Sequence, residues 1–166
     1  MTQNNSMLTG GCQCGAVRFM AERVGSSSVC HCRMCQKAFG SVFGALASTY
    51  GLVWTRGAPK YFQSSNKVRR GFCGDCGTPL TYEALGRSPE QEIEVAVGTF
   101  DHPGIAAPTV QVNLRDRQPV FEHLSSLPVR MGAAAARHDA HNATIVSHQH
   151  PDHDTAAWPP KEGFPA

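Results

Sequence analysis

Seven cysteines carry the chemistry of this 166-residue chain, and they fall in three short clusters. One residue separates Cys12 from Cys14 and Cys30 from Cys32, and two separate Cys32 from Cys35 and Cys73 from Cys76. An odd number of thiols cannot all pair within one chain as disulfides. Free cysteines serving as small core hydrophobes would be scattered rather than clustered. Spacings of one and two residues bring thiolates within reach of a single ion, so metal binding is the expected chemistry.

Seven thiols divide as four plus three. A structural zinc is closed by four protein ligands, whereas a catalytic zinc keeps one position open. Gly15 follows Cys14 and Gly77 follows Cys76. Glycine directly after a ligand pair permits a tight turn that aims backbone N–H groups at the sulfurs. Cys12-Gln13-Cys14-Gly15 and Cys73-Gly74-Asp75-Cys76-Gly77 therefore read as two matched knuckles of one four-cysteine site. A second pairing stays open, with Cys32 and Cys35 joining Cys73 and Cys76, although Gln36 and Lys37 follow Cys35 in place of glycine. On the first pairing Cys30, Cys32 and Cys35 remain as three thiols with a free fourth position. They sit at the start of an expected helix, where the dipole favours thiolate, and Arg33 and Lys37 add positive charge. His31 is a further candidate ligand that would close this site, but both its neighbours are ligands, which turns its ring away.

The elements that must hold these clusters are mostly strands. Alternation and apolar runs, punctuated by Gly, Pro and Ser-Asn turns, predict strands at 16–20, 41–48, 50–55, 60–63, 68–72, 80–84 and 92–97. Weaker strand signals lie at 109–114 and 119–123. A short helix is expected at 33–39, beside the second cluster, stopped by Gly40. The expected fold class is mainly β, with a mobile arm at 1–9, a zinc-binding body at 10–126 and a tail at 127–166. Five of the eight histidines lie in the tail, which also holds Pro159, Pro160 and Pro165. A helical turn is expected at 133–136.

Composition narrows the function. Hydrophobic residues at 41% support a packed core, and charged residues at 17% speak against a charge-rich disordered chain. A net charge of +2 is too small to suggest nucleic-acid or membrane binding by a basic face, and neither partner is expected. No apolar run approaches the roughly 20 residues of a membrane span. The polar start of the chain lacks the basic-then-apolar order of a secretion signal, so a cytoplasmic location is expected.

Four motifs, taken in order, are distinctive: Gly11-Cys12-Gln13-Cys14-Gly15-Ala16-Val17-Arg18-Phe19, Cys30-His31-Cys32-Arg33-Met34-Cys35-Gln36-Lys37, Arg70-Gly71-Phe72-Cys73-Gly74-Asp75-Cys76-Gly77-Thr78-Pro79-Leu80 and Gly98-Thr99-Phe100-Asp101. This run resembles the glutathione-dependent formaldehyde-activating enzyme family, whose domain is shared with the centromere protein V group. The resemblance spans residues 10 to 125. It implies a small zinc-stabilised β-tent, in which two or three sheets surround the metal. It implies two Zn²⁺, a structural one on Cys12, Cys14, Cys73 and Cys76 and a catalytic one on Cys30, Cys32 and Cys35. It also implies carbon–sulfur lyase chemistry on a thiol–aldehyde adduct, written as S-(hydroxymethyl)glutathione synthesis, with glutathione and formaldehyde as partners.

In physical terms, a thiol entering the open position would lose its proton, and the thiolate is the nucleophile towards a carbonyl. Asp101 is a candidate proton shuttle, or else a turn former after Gly-Thr-Phe. The rival reading is a non-catalytic zinc module that binds a partner, and a weaker third is a redox or zinc sensor. One further motif, His148-Gln149-His150-Pro151-Asp152-His153 after an apolar stretch, matches the HxHxDH signature of metallo-β-lactamase-fold hydrolases. That fold needs further ligands well downstream, so a relic or an adventitious metal-binding tract is expected instead.

Overall fold

The computed structural model describes residues 8–86 and 92–159. Residues 1–7 of the expected arm, and Pro160 and Pro165, lie outside them. In chain order the elements are β1 (Leu8–Gly11), β2 (Arg18–Ala21), β3 (Arg23–Cys30), α1 (Arg33–Phe39), β4 (Gly44–Tyr50), β5 (Val53–Arg56), β6 (Lys60–Ser65), β7 (Val68–Phe72), β8 (Pro79–Ala84), β9 (Ile93–Ala96), β10 (Val110–Val112) and α2 (Gly132–Asn142). The fold is mainly β, as the alternation of apolar residues requires. Strands β1, β2 and β5 form a three-stranded antiparallel sheet. The other seven form a sheet in the order β10-β3-β4-β9-β8-β7-β6, antiparallel except where β10 joins β3 in parallel.

Phe19, from the small sheet, anchors the core. It is fully buried among Ala47, Val95 and Phe100, and its ring meets Trp54 and Phe100 edge-on at 6.1 and 5.4 Å. Such edge-to-face pairs add to the burial energy of the rings themselves. Two smaller clusters are built around the cysteines: Cys12 and Cys73 with Val17 and Leu80, and Cys30 and Cys35 with Leu46.

Three differences from the sequence expectations have physical causes. β3 carries no strand signal, because Arg-Val-Gly-Ser-Ser-Ser-Val-Cys neither alternates nor forms an apolar run. Tertiary pairing makes it a strand: it lies between β10 and β4, and Ser27 Oγ donates to the carbonyls of Leu46 and Ala106. Residues 119–123 are not a strand but part of a 3-10 helix, Pro119–Ser126, since Pro119 fixes φ and has no N–H to give a ladder. β1 takes in Leu8 and Thr9, from the segment expected as an arm, because they pair with Ala21 and Met20 of β2.

The C-terminal region is two-natured. α2 buries none of its residues. Beyond it the chain returns to the body, and His150 is 7% exposed against the turn that follows β1.

Candidate metal centres

The first knuckle is the turn between β1 and β2, and the second is the turn between β7 and β8. The two are near copies. Gly15 and Gly77 take φ of 74° and 76°, the left-handed region that favours glycine. Gly15 N–H donates to Cys12 O at 3.0 Å and Gly77 N–H to Cys73 O at 3.0 Å. Cys12 N–H donates to Val17 O and Cys73 N–H to Thr78 O, both at 2.9 Å. The sulfurs of Cys12, Cys14, Cys73 and Cys76 all lie within 4.8 Å of one another. Cys12 and Cys14 Sγ are 3.6 Å apart, and Cys14 and Cys73 Sγ 3.8 Å. A tetrahedral zinc with bonds of about 2.3 Å has an S–S edge of about 3.8 Å, so the donor set fits that ion. The alternative grouping, Cys32 and Cys35 with Cys73 and Cys76, is not the one the fold makes.

Backbone N–H groups point at two of the sulfurs. Val17 N–H donates to Cys12 Sγ at 3.2 Å and Asp75 N–H to Cys73 Sγ at 3.4 Å. Burial pushes the Cys14 thiol up to about 12. Burial acts in the same direction on Cys76, but the Thr78 hydroxyl and backbone outweigh it and bring that thiol down to about 6.

The second cluster is built by the end of β3 and the start of α1. Cys30 is the last residue of its strand, and Cys32 is the N-cap of the helix, accepting from the N–H of Cys35 at 3.4 Å. Cys35 is 1% exposed in the first helical turn. Gly40 ends the helix with φ of 58°. The three sulfurs lie within 4.8 Å of one another, and no fourth His, Cys, Asp or Glu joins them among the described residues. Each sulfur has its own N–H donor. Besides the Cys35 amide on Cys32, Asn113 Nδ2 donates to Cys30 Sγ at 3.2 Å and Arg70 to Cys35 Sγ at 3.4 Å. Burial opposes ionisation of Cys32, yet the Cys35 amide and the neighbouring sulfurs outweigh it and lower this thiol. Burial dominates at Cys35 and pushes it up to about 12, against the pull of Arg70.

His31 is fully buried but turned away from the sulfurs. Its Nε2 lies 3.0 Å from Gln111 Oε1, and its ring meets Phe121 edge-on at 4.6 Å. It belongs to neither thiol group.

Asp101 lies elsewhere. It is 6% exposed, forms a two-pronged pair with Arg18 at 2.8 and 2.6 Å, and accepts from Thr9 Oγ1 at 2.6 Å. Burial would raise its carboxyl, but Arg18 and Thr9 hold it below the usual carboxylate range. It walls a cavity of about 310 Å³ together with Cys12, Arg18 and His150. The structure therefore places the candidate proton shuttle as the fixed anion of a buried guanidinium, beside the four-thiol cluster.

The HxHxDH tract is not a metal group among the described residues. Its His150 packs on the first knuckle instead: a Cβ on Gly15 would lie 2.4 Å from the His150 ring and 2.6 Å from Trp158. His150 N–H donates to Gln13 O at 2.8 Å, Trp158 Nε1 to Cys14 O at 2.9 Å, and Arg18 to Asp154 at 2.6 Å. Arg56 completes the strap by donating to Gly15 O at 3.1 Å and to Thr155 O.

Sequence reasoning gave no role to Arg70, Asn113 or this strap. The one visible signal was Arg70 itself, which shares the β7 face of Val68 and Phe72, an apolar register for a charged residue.

Known proteins place this architecture in a class. A model of the glutathione-dependent formaldehyde-activating enzyme matches residues 7–116, which covers both thiol clusters. The chain belongs to that family, and at family level it is tied to glutathione-dependent formaldehyde activation. A solved Rhodobacter sphaeroides protein shares the fold, with 21% identity and a TM-score of 0.51 over 63% of this chain and 100% of that one. No curated protein matches the chain.

Proposed function

We propose that the chain is a zinc-dependent carbon–sulfur lyase that joins, or releases, a small thiol and an aldehyde at Cys30, Cys32 and Cys35, with glutathione and formaldehyde as the family-level pair. One observation carries this reading: a group of three thiols, with no fourth protein ligand among the described residues, stands in the same chain as a complete group of four. Zinc held by Cys30, Cys32 and Cys35 supplies acidity, since a coordinated thiol is deprotonated outright.

The chain's own groups do the rest. The Cys35 amide, Asn113 and Arg70 each donate to one of the three sulfurs and hold them in place. The substrate sulfur bonds to the aldehyde carbon, the carbonyl π pair moves to oxygen, and that oxygen takes up the proton the thiol released. Nothing is oxidised or reduced, and the reverse sequence is the lyase direction. Cys12, Cys14, Cys73 and Cys76 act as the structural site that ties the β1–β2 turn to the β7–β8 turn. A cytoplasmic setting, which keeps thiols reduced, suits both clusters.

The test is carbon NMR with labelled formaldehyde and glutathione, which reports adduct formation above the spontaneous rate. The zinc-loaded protein is expected to accelerate it, and Cys32→Ser to lose that acceleration while keeping one zinc per chain. A wild-type protein that adds nothing to the spontaneous rate overturns the reading in favour of a non-catalytic zinc module.

A further inference from the structure

Two arginines stand side by side on β7, and the fold treats them differently. Arg69 faces outward, pairs with Glu83 at 2.7 Å and stacks on the Tyr61 ring. Arg70 faces inward and is 8% exposed. Its guanidinium donates to Cys35 Sγ and lies 5.0 Å from the centre of the Tyr82 ring. Among the described residues its Nε has no hydrogen-bond partner. No carboxylate pairs with it among the described residues. The other deeply buried arginine, Arg18, holds two carboxylates, Asp101 and Asp154. The Cys35 sulfur uses one of the five N–H donors of the Arg70 guanidinium, which leaves donor capacity for a further anion.

Arg70 also walls two adjoining depressions, of about 190 and about 360 Å³, which share Ala38, Phe62 and Arg70. The larger lies within the usual size of small-molecule sites, roughly 300–1,000 Å³. Their position ties them to the three-thiol cluster. Phe39, in the smaller, packs against Cys30 and Cys35, and Met34, in the larger, lies between Cys32 and Cys35 in sequence. The lining is apolar and cationic: Met34 and Phe62 are 54% and 63% exposed, Lys37 adds a second positive charge, and no acidic residue contributes among the described residues. Glutathione carries two carboxylates, an ammonium and no apolar group, so it would leave Met34 and Phe62 uncovered.

Resting on the thiol–aldehyde reading above, we infer that this groove binds the non-reacting part of the substrate, and that this part is an apolar body bearing a carboxylate. The apolar body covers Met34 and Phe62, and the carboxylate is received by Arg70 and Lys37. The preferred substrate is accordingly an aryl- or alkyl-substituted acid carrying the thiol or the aldehyde, rather than the unadorned glutathione–formaldehyde pair.

The probe is 3-phenylpropanoate, which carries neither thiol nor aldehyde, titrated by calorimetry into the zinc-loaded full chain. It is expected to bind at least about tenfold more tightly than 3-phenylpropanamide and than acetate. Phe62→Ala and Lys37→Ala change exposed side chains, so the fold and metal content should survive, and each should weaken the probe about three- to tenfold. Arg70→Gln should abolish the preference for carboxylate over amide. Equal binding of the acid and the amide, no binding, or indifference to both Phe62→Ala and Lys37→Ala overturns the groove assignment. Adduct formation from glutathione and formaldehyde that the bound probe does not inhibit also overturns it, and leaves the thiol–aldehyde reading standing. Probe binding in a protein that forms no adduct supports the groove and overturns the catalytic reading alone.

Discussion

The four-thiol cluster lies under the C-terminal strap, whereas the three-thiol cluster lies beside a groove. Around the first, His150 and Trp158 pack on Gly15, and Val146 and His148 wall a cavity of about 420 Å³ with Cys14 and Cys76. Around the second, Phe39 and Tyr82 cover one side while Arg70 opens onto apolar surface. Both clusters are built of thiols alone; thiol number and surroundings differ. A closed, strapped cluster suits holding strands together, and a three-ligand cluster next to a lined groove suits meeting a substrate.

Breaking each cluster in turn gives the largest expected contrast. Cys76→Ser should leave a chain without a cooperative thermal transition by circular dichroism, because metal at a four-thiol site contributes folding free energy on the order of 10 kcal/mol. Cys32→Ser should keep its β spectrum and melt cooperatively. Serine is a good N-cap, so α1 keeps its first turn while the metal site loses a thiolate. Similar unfolding of the two variants would erase the division of labour between the clusters.

Asp101 sharpens the comparison by pH. Its carboxyl is depressed in the folded chain, so its stabilisation is complete above the ordinary carboxylate value, near 4, and is lost as the pH falls through the lower folded value. Asp101→Asn leaves the buried Arg18 partly uncompensated and should cost about 3 kcal/mol at neutral pH. The gap in Tm between variant and wild type should be flat above about pH 5 and close below about pH 4. A gap that persists undiminished at acid pH would mean that the pair with Arg18 is not its source.

Gly15→Ala tests the seat of the strap. Alanine resists the φ of 74°, and its Cβ would meet His150 and Trp158. The expected loss is about 2 kcal/mol in denaturant unfolding, against about 1 kcal/mol for Gly77→Ala, whose Cβ meets nothing within 4 Å. Equal losses would mean that the strap does not bear on the knuckle.

The smallest effect is kinetic. Removing residues 147–166 should speed chelator extraction of metal from the four-thiol cluster by about tenfold, roughly 1.4 kcal/mol, and leave extraction from the three-thiol cluster unchanged. The ratio of the two release phases, followed with a coloured zinc indicator, reports it directly. An unchanged slow phase would show that the strap gives the metal no protection.

Much of the site is legible in the sequence because it is local. Cys12 and Cys14, Cys30 to Cys35, and Cys73 and Cys76 are held close by covalent geometry at one- and two-residue spacings. The two glycines announce turns that only they adopt without strain, and the helix at Arg33–Phe39 is bounded by a cap and a glycine stop. The strand at 68–72 shows as a short run between turn residues. β3 does not, because three consecutive serines carry no periodicity and only the pairing with β4 extends them.

The thiols and their grouping within each motif were thus legible in the sequence alone. The matched glycines pointed to which motifs meet but left a second pairing open, and the tertiary structure decided between them. The turn after β1 and the turn after β7 are 59 residues apart between Cys14 and Cys73, and only the two sheets packed together bring their sulfurs to 3.8 Å. Asn113 reaches Cys30 across 83 residues because β10 joins β3 in parallel, and Arg70 reaches Cys35 across 35 residues from its place on β7. Trp158 reaches Cys14 across 144 residues through a strap whose histidine motif suggested a metal tract and not this packing. Short-range chain geometry sets what lies within a few bonds; these longer contacts exist only because burial and strand pairing offset the entropy of closing such long loops.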